Sequence, residues 1–512
     1  MELRDLFVKG EYFPLPEHED RIERYRRNDK LVKGEHYDVF QDRAKNELYI
    51  SANFSGLIVR KGADFLVGER PVISSGKADN SSEQEALDRF VEDNRLHRLL
   101  YQTALQCGTK GDAFVKIRFG QEYNGAFPED FDKRRIIIEG IDARKVYPQT
   151  SPLDDSKIVV YHIAEAIQVD DSDHKYQLYV ESHYAGKIVY RRFELNVFQV
   201  LRNGEITTFK IGNELPEFYE EELTGVPVPL VVHFANYNDG ASWEGQDDIS
   251  EHIALFDEIN NRLSQIAMIL DKHADPAIAV PTGLLQEDNE GNTYFQIALN
   301  KVFEVMGKDD IIPQYVTNDN PQVDQAMNEL DKIIDFLMST AEIPHMAIGL
   351  KDAGTSGNSG LAIKFRMNSL LAKINRKKQF FEDSMKRVLM IAQMLEQYAN
   401  PADVDYELTV PVIKFKNGLP QDETDVANRM AIRTNGSQTL SRKTALMVMD
   451  GLTEEQADEE IKRIEDEKKQ ALAASMDVFN QQGSNDLEVN KVDNRFDNYE
   501  DDEPEVTESK EE

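Results

Sequence analysis

Apolar residues recur at helical spacing in several long blocks of this chain. Residues 42–67 align Leu48, Phe54, Leu57, Ile58, Phe65 and Leu66 on one stripe, predicting a helix that stops at Gly68, with a break allowed near Gly62. A second helical region opens at Ser82, where Glu85 completes a capping box, and runs through Leu87, Phe90, Val91, Leu96, Leu99, Leu100 and Ala104 toward Gly108 and Gly111. From Phe114 to about Gly212 the period changes to two. Tyr176, Leu178 and Val180, then Ile188 and Tyr190, then Val197 and the Asn203-Gly204 turn before Ile206, read as antiparallel sheet. Pro227 and Pro229 close that block.

The pattern then returns to helix. In residues 249–272, Ile249, Ile253, Phe256, Ile259, Leu263, Ile266 and Leu270 form one apolar stripe, on a strut of roughly 36 Å. Residues 277–316 read as short strands and turns with Asp288, Glu290 and Gly291 at a tip, and residues 323–340 as a second strut through Met327, Leu330, Ile333, Ile334 and Leu337. Four glycines between Gly349 and Gly360 make that stretch a loop. A third long helix is expected over residues 361–398, a strand over 403–415, a short helix over 422–434, and two further helices from Ser441 and from the capping box that opens at Thr453.

Composition narrows the class. The 512 residues are 40% hydrophobic and 9% aromatic, enough for several cores, and no run approaches the about eighteen apolar residues of a spanning helix. The opening MELRDLFVKGEYF lacks the pattern of a secretory leader, and Cys107 is the only cysteine, so a reducing compartment and a soluble protein are expected. The formal charge is −35, which argues against wrapping DNA with a basic surface. Residues 485–512 hold twelve acids and three bases and are expected to be disordered, serving above all solubility. The rest of the chain is still acidic, at −26.

Catalytic signatures are sparse. There is no GxxxxGK[ST], the glycines of 349–360 do not follow a strand, and the ten histidines form no zinc pattern. His252 reads as a surface or packing residue, and Cys107 as a buried small hydrophobe. Asp247-Asp248 fits a helix N-terminus, where the macrodipole favours acids, although with Asp271 the pair also suits a metal-dependent nuclease. No cofactor is implied. Against the acidic background one helix gathers bases at Lys364, Arg366, Lys373, Arg376, Lys377, Lys378, Lys386 and Arg387, for a subunit interface or for DNA.

The order of long helix, small β module, long helix, Gly/Ser loop and very long helix, with NFSGLIVRKGADFLVGERPV, GDAFVKI, GQDDISEHIALFDEINNRLSQ, IPHMAIG and SGNSGLAIKFRMNSLLAKINRKKQFFEDSMK, resembles the portal proteins of tailed double-stranded DNA bacteriophages. The likeness covers roughly residues 40–420 and is nearest to long-tailed phages of Gram-positive hosts. It implies a mixed α+β portal fold, assembled as a ring of about twelve subunits at one capsid vertex of the virion. Residues 1–40 would be an N-terminal arm, 41–245 the wing, 246–274 and 321–343 the two stem helices, and 275–320 the clip. Residues 344–360 would carry the tunnel loop, 361–420 a long wing helix and strand, 421–480 the crown, and 481–512 the acidic tail.

The implied function is a non-enzymatic DNA channel for head assembly, genome packaging, head-to-tail joining and ejection, made in the host cytoplasm and without a membrane role. Implied partners are further copies of itself, the large terminase, a head-completion or adaptor protein, major capsid and scaffolding proteins, and double-stranded DNA passing without sequence readout. Gly349, Lys351, Asp352, Gly354, Thr355, Ser356, Gly357, Asn358, Ser359 and Gly360 would line the channel, Lys351 as the base of the loop or as an ordinary solvated lysine. Leu284, Leu285, Asp288, Glu290, Tyr294, Phe295, Val302 and Phe303 would form the clip's docking surface or its core. Lys364, Arg366, Lys373, Arg376, Lys377 and Lys378 would face a neighbouring subunit or DNA. Another ring-forming head-tail protein, and a DNA-processing enzyme, remain the alternatives.

Overall fold

The computed structural model describes residues 3–40, 48–78, 80–123, 125–128, 130–170, 175–200, 206–274, 278–279, 286–287, 293–294, 314–315, 321–349, 360–416, 418, 423–435, 438–450 and 457–470. The chain divides into two compact units, Met1–Leu419 and Pro420–Glu512.

The first unit begins with β1 (Tyr12–Phe13), α1 (Glu19–Lys33) and α2 (His36–Val39), so the segment expected as an arm contains a 15-residue helix. Next comes α3 (Phe54–Val67), unbroken at Gly62 and capped by the Asn53 side chain, which accepts from the Gly56 amide. After β2 (Val72–Ser74), the single helix expected from Ser82 is two, α4 (Ser82–Asp93) and α5 (Leu96–Lys110). Its cap is Ser81, one residue earlier than expected. The break falls at Arg95, whose backbone is left-handed at φ 48°. No glycine or proline marks it, so periodicity alone ran the two helices together.

Two sheets follow. β3 (Asp112–Gly120) is the middle strand between β4 (Arg135–Ile141) and β11 (Val231–Ala235), all antiparallel. The larger sheet is a meander of β5 (Val146–Ser151), β6 (Asp154–Asp170), β7 (Lys175–Tyr184), β8 (Lys187–Val200) and β9 (Ile206–Glu214), with β1 added at the β9 edge. β8 is long enough to pair with β9 along one half and with β10 (Glu220–Leu223) along the other. The Asn203-Gly204 turn lies outside the described residues.

The first strut is a 3-10 turn at Ser250–His252 leading into α6 (Ile253–Ala274), about 33 Å long. β12 (Ile278–Ala279) pairs with β15 (Gln314–Tyr315), and between them β13 (Gln286–Glu287) pairs with β14 (Thr293–Tyr294). The second strut is α7 (Pro321–Thr340). The third long helix divides at Met367 into α8 (Gly360–Arg366) and α9 (Asn368–Ala399). Only β16 (Val412–Lys414) of the strand expected at 403–415 forms, paired with β2. In the second unit lie α10 (Glu423–Thr434), α11 (Arg442–Asp450) and a helix over residues 457–470, with Lys443 and Asp458 paired at 2.9 Å.

The main core joins the apolar faces of α3, α5, α6, α7 and α9 to the three-stranded sheet, with Ile58, Leu100, Ile117, Phe256, Leu337 and Phe381 all at most 2% exposed. The larger sheet packs on the N-terminal segment through Phe7, Phe13, Ile22, Leu178 and Val180. Between the two, Tyr25, Phe114, Val146 and Trp243 form a third cluster.

Candidate functional site

The struts and the long helix meet at a buried ionic node. Asp247 ends the loop before α6, and its carboxylate accepts from the Ile249 and Ser250 amides at 2.9 and 2.6 Å, the capping role expected of an acid there. Asp248 points the other way, into the core, and its side chain is only 1% exposed. It is paired with Lys373 at 3.1 Å and with Lys377, one helical turn apart on α9, and accepts from Asn236 Nδ2. Gly62 of α3 and Gly108 of α5 face the same carboxylate; a Cβ at Gly108 would sit 3.0 Å from its oxygen. Small residues on two helices thus leave room for the ion cluster.

Burial by itself would raise the Asp248 pKa, but the two ammonium groups overrule it and hold it at about 2. Burial lowers the Lys377 pKa, with the Asp248 charge opposing. Lys373 also donates to the Ala341 carbonyl at 3.1 Å, so one lysine ties the start of α6 to the end of α7. There α7 closes in a Schellman turn: the Ile343 amide bonds the Met338 carbonyl, the Glu342 amide bonds the Ser339 carbonyl, and Glu342 is left-handed at φ 59°. Arg376 pairs with the Glu342 carboxylate. A 3-10 turn, His345–Ile348, then ends at Gly349 with φ 81°, immediately before the Gly-rich stretch. The node therefore anchors the root of that stretch to three long helices.

A second junction explains two of the sequence motifs. Gly111 and Gly245 lie back to back, and a Cβ on either would come within 2.1 Å of the other's carbonyl oxygen. This contact carries Asp112, fully buried, which accepts from the Tyr25 hydroxyl, from His233 Nε2 at 2.7 Å and from the Gly245 amide at 2.7 Å. Burial, with the Asp112 charge, pushes the Tyr25 phenol well above its ordinary value. GDAFVKI and GQDD are thus two halves of one architectural joint.

The six bases singled out on the third helix separate in space. Lys373 and Lys377 are buried within the subunit; their places at an interface or on DNA are taken by the internal bonds just described, because they fall on the apolar stripe of α9. Lys378 donates to the Lys416 carbonyl at 2.7 Å, and Arg376 is half-exposed beside Glu342. Lys364 and Arg366 are exposed. Of the loop residues, Gly349 caps the 3-10 turn and Gly360 begins α8; Lys351, Asp352, Gly354, Thr355, Ser356, Gly357, Asn358 and Ser359 lie outside the described residues. Of the clip residues, Tyr294 is in β14, while Leu284, Leu285, Asp288, Glu290, Phe295, Val302 and Phe303 lie outside them.

The acids a metal-dependent nuclease would need are not gathered. Asp247 is occupied in capping, Asp248 is flanked by two lysines, and Asp271 stands about 27 Å along α6 from Ile253. Among the described residues no three His, Cys, Asp or Glu side chains converge to hold a metal, and no helix is long and apolar enough to cross a membrane. Cys107 is fully buried, its thiol donating to the Phe234 carbonyl at 3.3 Å, and burial pushes its pKa well up. His252 packs edge-on against Phe256. Sequence reading missed Asp112, Tyr25 and His233, since each acts through a partner more than eighty positions away, and Asn236, which reaches Asp248 only because the loop between them folds back.

Two helical struts and a third long helix, tied at a buried node and flanked by sheet, form a scaffold around the root of the Gly-rich stretch. The chain matches the family described as phage portal protein, SPP1 Gp6-like, over residues 14–473, and it belongs to that family. It is therefore a structural component of a bacteriophage capsid. No curated protein matches it.

Proposed function

We propose that this protein assembles into a ring at one capsid vertex and forms the channel through which DNA is packaged and later ejected. The observation that carries the reading is the family match across both struts, the loop root and the third long helix, over residues 14–473. The node supports it: a loop that touches a moving polymer needs a fixed base, and the Asp248–Lys373–Lys377 cluster fastens that base to three helices. Residues 344–360 carry the tunnel loop, with Lys351 presenting one cation per subunit to phosphates. An acidic chain, at −35, suits a conduit that must let DNA slide, since each neutralised phosphate releases counterions and adds affinity. The β module between the struts, residues 275–320, docks the terminase during packaging and a head-completion protein afterwards. Capsid and scaffolding proteins surround the ring. Lys364, Arg366, Arg376 and Lys378 contribute to contacts between subunits.

Averaged end-on electron micrographs with native mass measurement test the ring: particles with a central hole support it, and a monomer at every salt and concentration overturns it. Deleting residues 354–360 tests the loop. Rings should persist while packaging falls, and normally filled heads would refute the assignment.

A further inference from the structure

The break between α4 and α5 opens a groove of about 290 Å³ against β3 and β4. Its floor is fixed: Asn94 accepts from the Ile138 amide at 2.8 Å and donates to the Phe90 carbonyl. Its rim carries four arginines. Arg118 is bound to Glu139 and to the Gln121 carbonyl, and Arg135 to Glu122, so both are satisfied within the chain. Arg95 and Arg98 are exposed, one turn apart at the start of α5, and no carboxylate of the described residues is within ion-pair range of either. The loop that leaves the groove at Glu122 and returns at Arg135 is pinned by buried Asp132, which accepts from the Glu122 and Tyr123 amides at 2.9 and 2.8 Å. It holds Tyr123 and Phe127 in edge contact at 5.0 Å, each about half exposed, and Phe131 at 87% exposed.

We propose that this groove receives a carboxylate-bearing segment of the adjacent copy of this chain, clamped by Arg95 and Arg98 and covered by the aromatic loop. Arginine and aromatic side chains are the residues enriched at protein interfaces, and their guanidinium forks match carboxylates in geometry. A second copy supplies the complement, because the chain carries 94 acids against 59 bases. Duplex DNA fits less well: two guanidiniums at a groove of about 290 Å³ match one inserted carboxylate, not a run of phosphates along a duplex. A basic patch meeting a different, acidic patch makes a head-to-tail contact, the kind that closes rings.

The inference rests on the ring reading. Its test uses the full chain in two variants, R95E/R98E and R95G/R98A, followed by native mass measurement across a salt series. Glycine at 95 removes the guanidinium and suits the left-handed backbone, so the second variant should melt no lower than wild type. The expected result is a wild-type ring that dissociates at lower salt in R95G/R98A and at all salts in R95E/R98E, with the apparent assembly constant at least tenfold weaker. Rings of unchanged salt resistance in both variants would overturn the clamp and leave the ring reading standing. Unchanged rings with weakened DNA retention would overturn it in favour of DNA. A wild-type monomer under every condition would overturn both.

Discussion

The ionic node makes an asymmetric prediction. Asp248 is bonded to two buried ammonium groups, so replacing it with Asn leaves both cations without that counter-charge in a site 1% exposed. Removing one partner of a buried pair costs about 3–5 kcal/mol, mostly the penalty of the charge left behind. Lys377→Met does the opposite. Asp248 keeps Lys373 at 3.1 Å and Asn236 at 3.3 Å, the charge balance becomes one to one, and an ammonium that burial already disfavours is gone. That change should cost at most about 1 kcal/mol, because it leaves no buried charge without a partner. Lys373→Met lies between, at about 2 kcal/mol, because the Ala341 carbonyl also loses its donor. Trp243 is the single tryptophan and lies in the first unit, four residues before Asp247, so its fluorescence in a urea titration of dissociated protein follows that unit alone. The Asp248→Asn and Lys377→Met midpoints should differ by an amount equivalent to about a hundredfold in the folding constant. If Lys377→Met costs as much as Asp248→Asn, or if the latter costs under about 1 kcal/mol, the account of the node is wrong.

Acid should weaken the contact between the N-terminal segment and the large sheet. Burial, aided by Arg21, lowers His18 to about 3, and burial, aided by Arg191, lowers His162 to about 4. Below the unfolded value near 6.5 the unfolded chain takes up protons that the folded chain refuses, so stability is present above pH 6.5 and falls toward pH 4, by roughly 2–3 kcal/mol per histidine at pH 4.5. His162→Gln, which can still bond Ser182, should flatten the decline in melting temperature between pH 7 and 4.5, and an unchanged slope would count against this. At the end of α7, Glu342→Gly should leave stability within about 0.5 kcal/mol, since relief at φ 59° offsets added unfolded-state entropy, whereas Glu342→Val should cost about 1–2 kcal/mol by thermal melting. Gly111→Ala would drive a Cβ to 2.1 Å from the Gly245 carbonyl at φ 88°; we expect a loss above about 4 kcal/mol or no soluble protein, and a melting temperature near wild type would refute the joint.

What was legible in the sequence follows from which signals are local. Both struts announced themselves, because an apolar stripe over twenty residues needs no partner to be read. The capping role of Asp247 was legible for the same reason: an acid before a helix meets the amides of its own next residues. The break at Arg95 was not, since an arginine in a left-handed conformation is held there by what packs on α4 and α5, not by its own preference. The 403–415 strand shrank to three residues because only Val412, Ile413 and Lys414 find partners on β2.

The basic helix shows where charge counting fails and periodicity succeeds. Read as a tally, Lys373 and Lys377 belong with Lys364, Arg366, Arg376 and Lys378 on a positive face. Read by position, Leu370, Lys373, Ile374, Lys377 and Phe381 repeat at three and four, the spacing of the buried stripe, so two of the cations had to turn inward and meet an acid there. That acid is 125 positions from Lys373 and lies on another element, and no local signal names it. The inward lysines of α9 lock the loop root; under the proposed ring, Lys364 on α8 takes the outward role, and a substitution that lowers stability without weakening assembly, or the reverse, separates the two. Lys377→Ala, which truncates the packed stem as well as the charge, should destabilise the first unit while any ring survives at low temperature. Lys364→Glu should leave melting of the first unit unchanged and raise the concentration needed for assembly. If Lys364→Glu lowers stability as Lys377→Ala does, the two faces are not independent and the division of labour on α9 and α8 fails.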